Sequence, residues 1–259
     1  MSTIITTDII KQIRDKTGVS IMQCKKALEE AGGDTEKALI ILSKQSSAAA
    51  EKKADRVASD GLVLVTQNEN KAVLTVLYCE TDFVSKNEEF VAMAQTLGEM
   101  ALNEGTDIAK EKSTEMVNPL IQKLGENIKF EIVTSIESPI LGSYVHNNKN
   151  ACIVALSGGD ADLARDIAMH ATAMKPNFLK KEDITEENKK KVIEVFTEEV
   201  NQSDRPAEIK EKMLQGKIDT YFKEQTLLDQ SFIKDPSKTI SQLVKEKGAE
   251  VVRFERFSL

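Results

Sequence analysis

The stretch Ala72-Val73-Leu74-Thr75-Val76-Leu77-Tyr78-Cys79-Glu80-Thr81-Asp82-Phe83-Val84-Ser85-Lys86 passes from one structural regime to another. Its first six residues are aliphatic or β-branched and read as a largely buried strand. The chain then turns polar, sets one aromatic beside a carboxylate, and opens a helix near Ser85, with Glu88 at the capping-box spacing. Strand ends that open into helices are where α+β proteins display functional groups. Taken alone, Phe83 is by default a core residue closing that corner, because phenylalanine is among the residue types most often buried.

Upstream, Gly61-Leu62-Val63-Leu64-Val65-Thr66 and a polar turn at Asn68-Glu69-Asn70 complete a β-hairpin with Ala72 to Tyr78. Downstream, Phe90, Met93, Ala94, Leu97, Met100 and Ala101 recur at helical spacing. A second helix ends near Leu124-Gly125, and Ile128 to Ile136 gives another strand. A weaker copy of the same unit follows. Gly142 to His146 is a strand, 147–150 a turn, Ala151 to Leu156 an apolar strand, and a helix runs from Asp160 or Asp162 to Met174. The sequence thus predicts an α+β fold with a duplicated hairpin-plus-helix core built on antiparallel sheets. The alternating strand Glu250 to Phe257 is expected to rejoin the second sheet.

Two helical parts flank this core. The first 45 residues read as three short helices: Thr6 or Thr7 caps the first, Ser20 and Gln23 form a capping box on the second, and Asp34 caps the third. Ile9, Ile10 and Ile13 supply an inner face for the first helix, and Ala38, Leu39, Ile41 and Leu42 for the third. So small a bundle is marginal alone and reads as a separate module. Residues 46–54 show no clear apolar face and read as a linker, with helix left open. Within the second half, residues 181–229 form an insertion. Val192, Val195 or Phe196, and Val200 line one helix; Leu214, Ile218, Tyr221, Gln225 and Leu228 line the returning one, with Asp204 able to cap it. That spacing is a short coiled-coil seam, which predicts an antiparallel helical hairpin. Two helices lying flat on the sheet are the alternative. The division is therefore 1–45, a linker at 46–60, a first core subdomain at 61–139, and a second at 140–259 that contains the hairpin.

Composition narrows the function classes. The 259 residues are 41% hydrophobic and carry a formal net charge of −7, which opposes broad nucleic-acid binding and an anionic membrane surface. No apolar run approaches the roughly 18 residues of a membrane span, and the N-terminus lacks a secretory pattern, so a cytoplasmic location is expected. Cys24, Cys79 and Cys152 are odd in number and far apart, which fits neither a disulfide framework nor a zinc site.

Enzyme parts are sparse. Glu80 and Asp82, two residues apart, would share a face of a continuing strand and could bind Mg²⁺ or act as an acid/base pair. No third group converges on them at a recognisable spacing. His170 sits on an apolar helix and reads as a satisfied core or interfacial histidine, whereas His146 ends a strand beside a polar turn. Ser157-Gly158-Gly159-Asp160 lacks the lysine of a phosphate-binding loop. The chain supplies the parts of a binding protein, with no catalytic residue, cofactor or metal expected. A metal-dependent enzyme using Glu80, Asp82 and His146 is one alternative; a pure protein-interaction scaffold is another.

Several segments together resemble one family. Ile13 to Leu28 (IRDKTGVSIMQCKKAL) and Val76 to Lys86 (VLYCETDFVSK) resemble the two signatures of the elongation factor Ts family, with Val76 and Tyr78 standing where Glu and Asn are usual. Lys123 to Ile128 (KLGENI), Leu141 to His146 (LGSYVH), Ile167 to His170 (IAMH) and Phe232 to Lys238 (FIKDPSK) follow in family order. The resemblance implies a guanine-nucleotide exchange factor for elongation factor Tu, with a ubiquitin-associated-like bundle, a two-part core and a dimerisation hairpin that could form a homodimer. It implies that Asp82 and Phe83, with Thr81 and Val84 beside them, intrude near the Mg²⁺ and nucleotide site of the partner. Leu124 and Gly125 would support them. His146, Ile233 and the bundle residues Ile21, Met22 and Lys25 would make further partner contacts. The turn Asn147-Asn148-Lys149 replaces a more glycine-rich one. Some family members carry an additional C-terminal helix touching the partner; with the sequence ending at Leu259, that contact is expected to be absent.

Overall fold

Three capped helices begin the chain in this computed structural model, which describes residues 5–259. Helix α1 (Thr7–Thr17) is capped by the Thr6 hydroxyl and stops at Gly18, whose left-handed φ of 68° closes the last turn. Helix α2 (Ile21–Glu30) carries the Ser20/Gln23 capping box, and α3 (Thr35–Glu51) starts from Asp34, whose carboxylate accepts the Glu36 and Lys37 N–H groups. Ile13, Val19, Cys24, Ala27, Leu28, Ala38 and Leu42 form their shared core.

The hairpin that decides the fold consists of β1 (Asp60–Gln67) and β2 (Lys71–Cys79), antiparallel from Asp60 opposite Cys79 to Gln67 opposite Ala72. Every residue of β2 from Ala72 to Leu77 is buried, as its unbroken apolar run requires. A single helical turn, α4 (Asp82–Ser85), separates β2 from α5 (Glu88–Asn103). This corrects the capping box expected at Ser85 and Glu88. Asn87 is the cap, accepting the Glu89 and Phe90 N–H groups at 3.0 and 3.3 Å. Ser85 is unavailable because its hydroxyl donates to the Asp82 carbonyl at 3.1 Å.

Helix α6 (Thr106–Leu124) ends at Gly125, and β3 (Lys129–Glu137) completes a sheet of order β1-β2-β3. Leu62, Leu77, Cys79, Phe90, Leu97, Leu120, Ile121 and Ile128 belong to the core between this sheet and its helices. Gly98 of α5 lets helix and sheet approach: a Cβ there would lie 2.6 Å from the Thr66 hydroxyl. The stretch read as a linker is helical to Glu51, and α3 packs along α6. Ser46 is buried with its hydroxyl donating to Gln122, and Asn118 donates to the Ser47 hydroxyl at 3.3 Å. Small side chains bring the two helices together there without an apolar stripe.

The chain divides into two compact units: the first comprises the chain through Ser135 with 147–150 and 257–259, the second comprises Ile136–His146 and Ala151–Arg256. In the second, β4 (Ile140–His146), β5 (Asn150–Ser157) and α7 (Ala161–Met174) repeat the hairpin-plus-helix plan. Gly142 serves as contact point here, where a Cβ would meet the Arg165 nitrogen at 2.1 Å. The insertion forms α8 (Glu186–Asn201) and α9 (Ala207–Gln225), antiparallel, with Phe196 meeting Tyr221 edge-on at 5.8 Å between ring centroids. Phe196 therefore takes the seam position left open against Val195. Pro206 precedes α9 without a side-chain cap, so Asp204 does not have the capping role expected of it. The proline fixes the start of the helix and keeps Arg205 out of helical conformation. A small hairpin of β6 (Ser231–Phe232) and β7 (Asp235–Thr239), helix α10 (Ile240–Glu246) and strand β8 (Glu250–Ser258) finish the unit. As expected, β8 joins the second sheet, in order β4-β5-β8.

Candidate functional site

Where β2 ends, two carboxylates cross-brace the chain. The backbone N–H groups of Glu80 and Thr81 converge on Glu126 Oε2 at 2.9 and 3.0 Å, and the Thr81 hydroxyl donates to Oε1 at 2.6 Å. In return, Glu80 Oε1 accepts the Asn127 N–H at 2.7 Å and lies 3.5 Å from the Arg56 guanidinium. The Asn127 amide donates to the Ala54 and Arg56 carbonyls at 3.3 and 2.7 Å, and Arg56 donates to the Gly125 carbonyl at 3.4 Å. Three segments, 54–56, 80–81 and 125–127, are thereby tied into one platform.

Helix α4 stands on that platform. Val84 and Ser85 turn inward and are buried, while Phe83 points out with 83% of its surface exposed. The default reading of Phe83 as a core residue is thus corrected: Val84 takes the inward position of the single turn. Leaving a phenylalanine in water forfeits roughly 1.5–3 kcal/mol of burial free energy, so nothing in the chain's own packing favours this placement. Asp82 is half exposed and pairs with Lys86 at 2.7 Å. That hydrogen bond raises the Lys86 pKa above the ordinary lysine value. Burial, then the nearby Asp60 and Glu126 charges, push the Cys79 thiol up to about 12, which keeps it protonated and unreactive.

Among the expected site residues, Thr81, Asp82, Phe83 and Val84 come together in this corner with Leu124 and Gly125. Leu124 packs partly buried against the first core, and Gly125 at φ +81° closes α6 and turns the chain into the Glu126 brace. On α2, Cys24, Ala27 and Leu28 face inward, leaving Ile21 and Met22 exposed at 55% and 63%. Lys25 lies beside them, 3.7 Å from Glu29. His146 and Ile233 belong to the second unit. The Tyr144 hydroxyl lies 3.2 Å from His146 Nδ1, and the two rings stack. Ile233 is 45% exposed in the turn between β6 and β7, and its N–H donates to Nδ1 of the buried His170 at 3.2 Å.

The acid/base alternative meets different geometry. Glu80 is engaged by Asn127 and Arg56, and Asp82 by Lys86. Among the described residues no group of three or more His, Cys, Asp or Glu is placed to hold a metal ion, and no helix is long and apolar enough to cross a membrane. Arg56 and Glu126 are the members of the corner that residue-by-residue reading passes over. Glu126 lay within the quoted KLGENI segment, but a single carboxylate 46 residues from its backbone partner leaves no local signature.

The model of the elongation factor TS family matches residues 80–259. The chain is 40% identical over 262 residues to the elongation factor Ts of Hahella chejuensis, covering 98% of this chain and 92% of that relative. It is 40% identical over 265 residues to that of Aeromonas hydrophila subsp. hydrophila, covering 98% and 90%. With Francisella tularensis subsp. novicida the identity is 39% over 265 residues, covering 98% and 92%. On a family match that begins at Glu80 and relatives aligned along nearly its whole length, the chain belongs to the elongation factor Ts family.

Proposed function

We propose that this chain is a guanine-nucleotide exchange factor that binds elongation factor Tu and promotes GDP release by inserting Asp82 and Phe83 near its Mg²⁺ and nucleotide site. The observation that carries this reading is Phe83, exposed at 83% on a single helical turn whose base is cross-braced by Glu80 and Glu126. A rigidly presented aromatic is a suitable anchor for a pocket on a partner.

Exchange needs no bond chemistry in this chain. The factor binds the nucleotide-free partner more tightly than the GDP-bound one, and linkage makes the weakening reciprocal. Phe83 enters an apolar pocket of the GTPase domain, and Asp82 disturbs the contacts that order Mg²⁺. Loss of that cation leaves phosphate charge less neutralised, so GDP leaves faster and GTP can rebind. Ile21 and Met22 on the bundle, with Lys25 at their edge, and His146 and Ile233 on the second unit, supply further contact surface.

The test is release of fluorescent GDP from elongation factor Tu with and without this chain. Phe83→Ala, exposed and therefore neutral to folding, should slow stimulated release at least about tenfold, the effect of losing ~1.4 kcal/mol or more of anchor binding. Full stimulation by a folded Phe83→Ala protein would refute the wedge.

A further inference from the structure

The carboxylate beneath the exposed ring has a role of its own. Glu126 accepts three hydrogen bonds from two consecutive residues: the Glu80 and Thr81 N–H groups on one oxygen and the Thr81 hydroxyl on the other. Charge-assisted bonds of this kind are stronger than neutral ones. Helix α4 cannot hold itself in place, since it has four residues and its N-cap Thr81 makes no side-chain cap. The Thr81 hydroxyl that would otherwise cap it is turned down onto Glu126. The Asp82 carboxylate is no substitute, because it faces outward to Lys86. What fixes the direction of Phe83 is therefore the pinning of Thr81 on one side and burial of Val84 and Ser85 on the other. Glu126 is itself delivered from a firm base, two residues past the end of the 19-residue helix α6.

We propose that Glu126 is a positioning residue for nucleotide exchange: its carboxylate holds the 80–81 turn so that Phe83 stands ready to dock. The proposal rests on the reading of Phe83 as the wedge. Without Glu126 the turn spreads over several orientations, and apparent affinity falls by the fraction of time the competent one is populated. Once Phe83 has docked, the same complex forms. Glu126→Ala should therefore raise the concentration of chain giving half-maximal GDP release by about tenfold and leave the maximal rate within about twofold. Phe83→Ala differs in lowering the maximal rate. Glu126→Gln, which keeps an oxygen for the two N–H groups and an amide that can donate to the Thr81 oxygen, should restore most of the lost affinity.

Two measurements decide it. In the free chain, amide hydrogen exchange at Glu80 and Thr81 should speed up at least about tenfold in Glu126→Ala while amides within β1 and β2 keep their protection. In the release titration, Glu126→Ala should have almost no further effect on half-maximal concentration when Phe83 is already alanine, the non-additivity expected of a residue that acts through another. Unchanged exchange at Glu80 and Thr81, a fall in maximal rate alone, or full additivity with Phe83→Ala would overturn the positioning role. Full stimulation by Phe83→Ala is a different failure: it removes the wedge itself and with it the reason for positioning.

Discussion

His170 is neutral because of the hydrogen on its neighbour. The Ile233 N–H points at Nδ1, so that nitrogen carries the lone pair and the proton sits on Nε2, donating to Gln230 Oε1 at 2.8 Å. Gln230 in turn donates to the Met174 and Glu224 carbonyls, which fixes its orientation. A second proton on the ring would set one N–H against another. Burial is the main cause that lowers the His170 pKa below its ordinary 6.5, with the Gln230 bond opposing it. The unfolded chain then binds a proton in a window where the folded one does not, so the stability contribution is complete above about pH 6.5 and declines as pH falls toward the lower folded pKa. Urea unfolding at pH 7.5 and 5.5 should show wild type losing stability, by up to roughly 1.4 kcal/mol per pH unit across that window, while His170→Gln loses less. Equal losses would refute the assignment. At this scale the sequence was a partial guide. His170 on its apolar helix was legible as a satisfied histidine, whereas the outward placement of Phe83 was not, because a one-turn helix offers no repeat from which to tell inside from outside.

Elements were most legible where they were long and punctuated. The apolar runs of β1 and β2 with the polar turn between them, and Gly125 at the end of α6, place those boundaries nearly where the structure has them. Hydrophobic periodicity is silent about two other regions. Strand β6 has two residues and α10 seven, too few to establish a period, so the small hairpin carrying Ile233 leaves almost no trace. The end of α3 is packed through Ser46 and Ala50, small side chains that a hydrophobicity pattern does not register. The start of α5 offers a sharp test of which signal the chain uses. Asn87 caps two N–H groups, and its replacement by Ala should cost about 1 kcal/mol. Glu88→Ala, which would break a capping box with Ser85, should stay within about 0.5 kcal/mol because no such box exists. Denaturant midpoints of the two variants compared with wild type separate the alternatives; a larger loss for Glu88→Ala would restore the Ser85 cap.

On the scale of the whole molecule, the helical hairpin bears on self-association. The family resemblance implies dimerisation through it, and we retain that as a proposal with a limit set by magnitudes. Phe196 and Tyr221 face each other across the seam, while Val200 and Phe222 are buried, so these side chains already have partners within one chain. Lys217 adds to the closure, pairing with Glu199 at 2.8 Å and lying 5.7 Å from the Phe196 ring centroid. The strongly exposed apolar side chains of α8 and α9 are Ile193, Val195 and Ile209, at 41%, 63% and 43%. Burying the exposed parts of three such residues returns at most roughly 5 kcal/mol per copy, against an association cost of about 4–15 kcal/mol. A dimer built on this surface alone should thus be weak, with a dissociation constant near the millimolar range, about −4 kcal/mol. Light scattering should give the 28.7 kDa mass of one chain at micromolar concentration, with self-association emerging only in concentrated solution and disappearing in Val195→Glu. A stable dimer at micromolar concentration that survives Val195→Glu would place the interface elsewhere on the molecule.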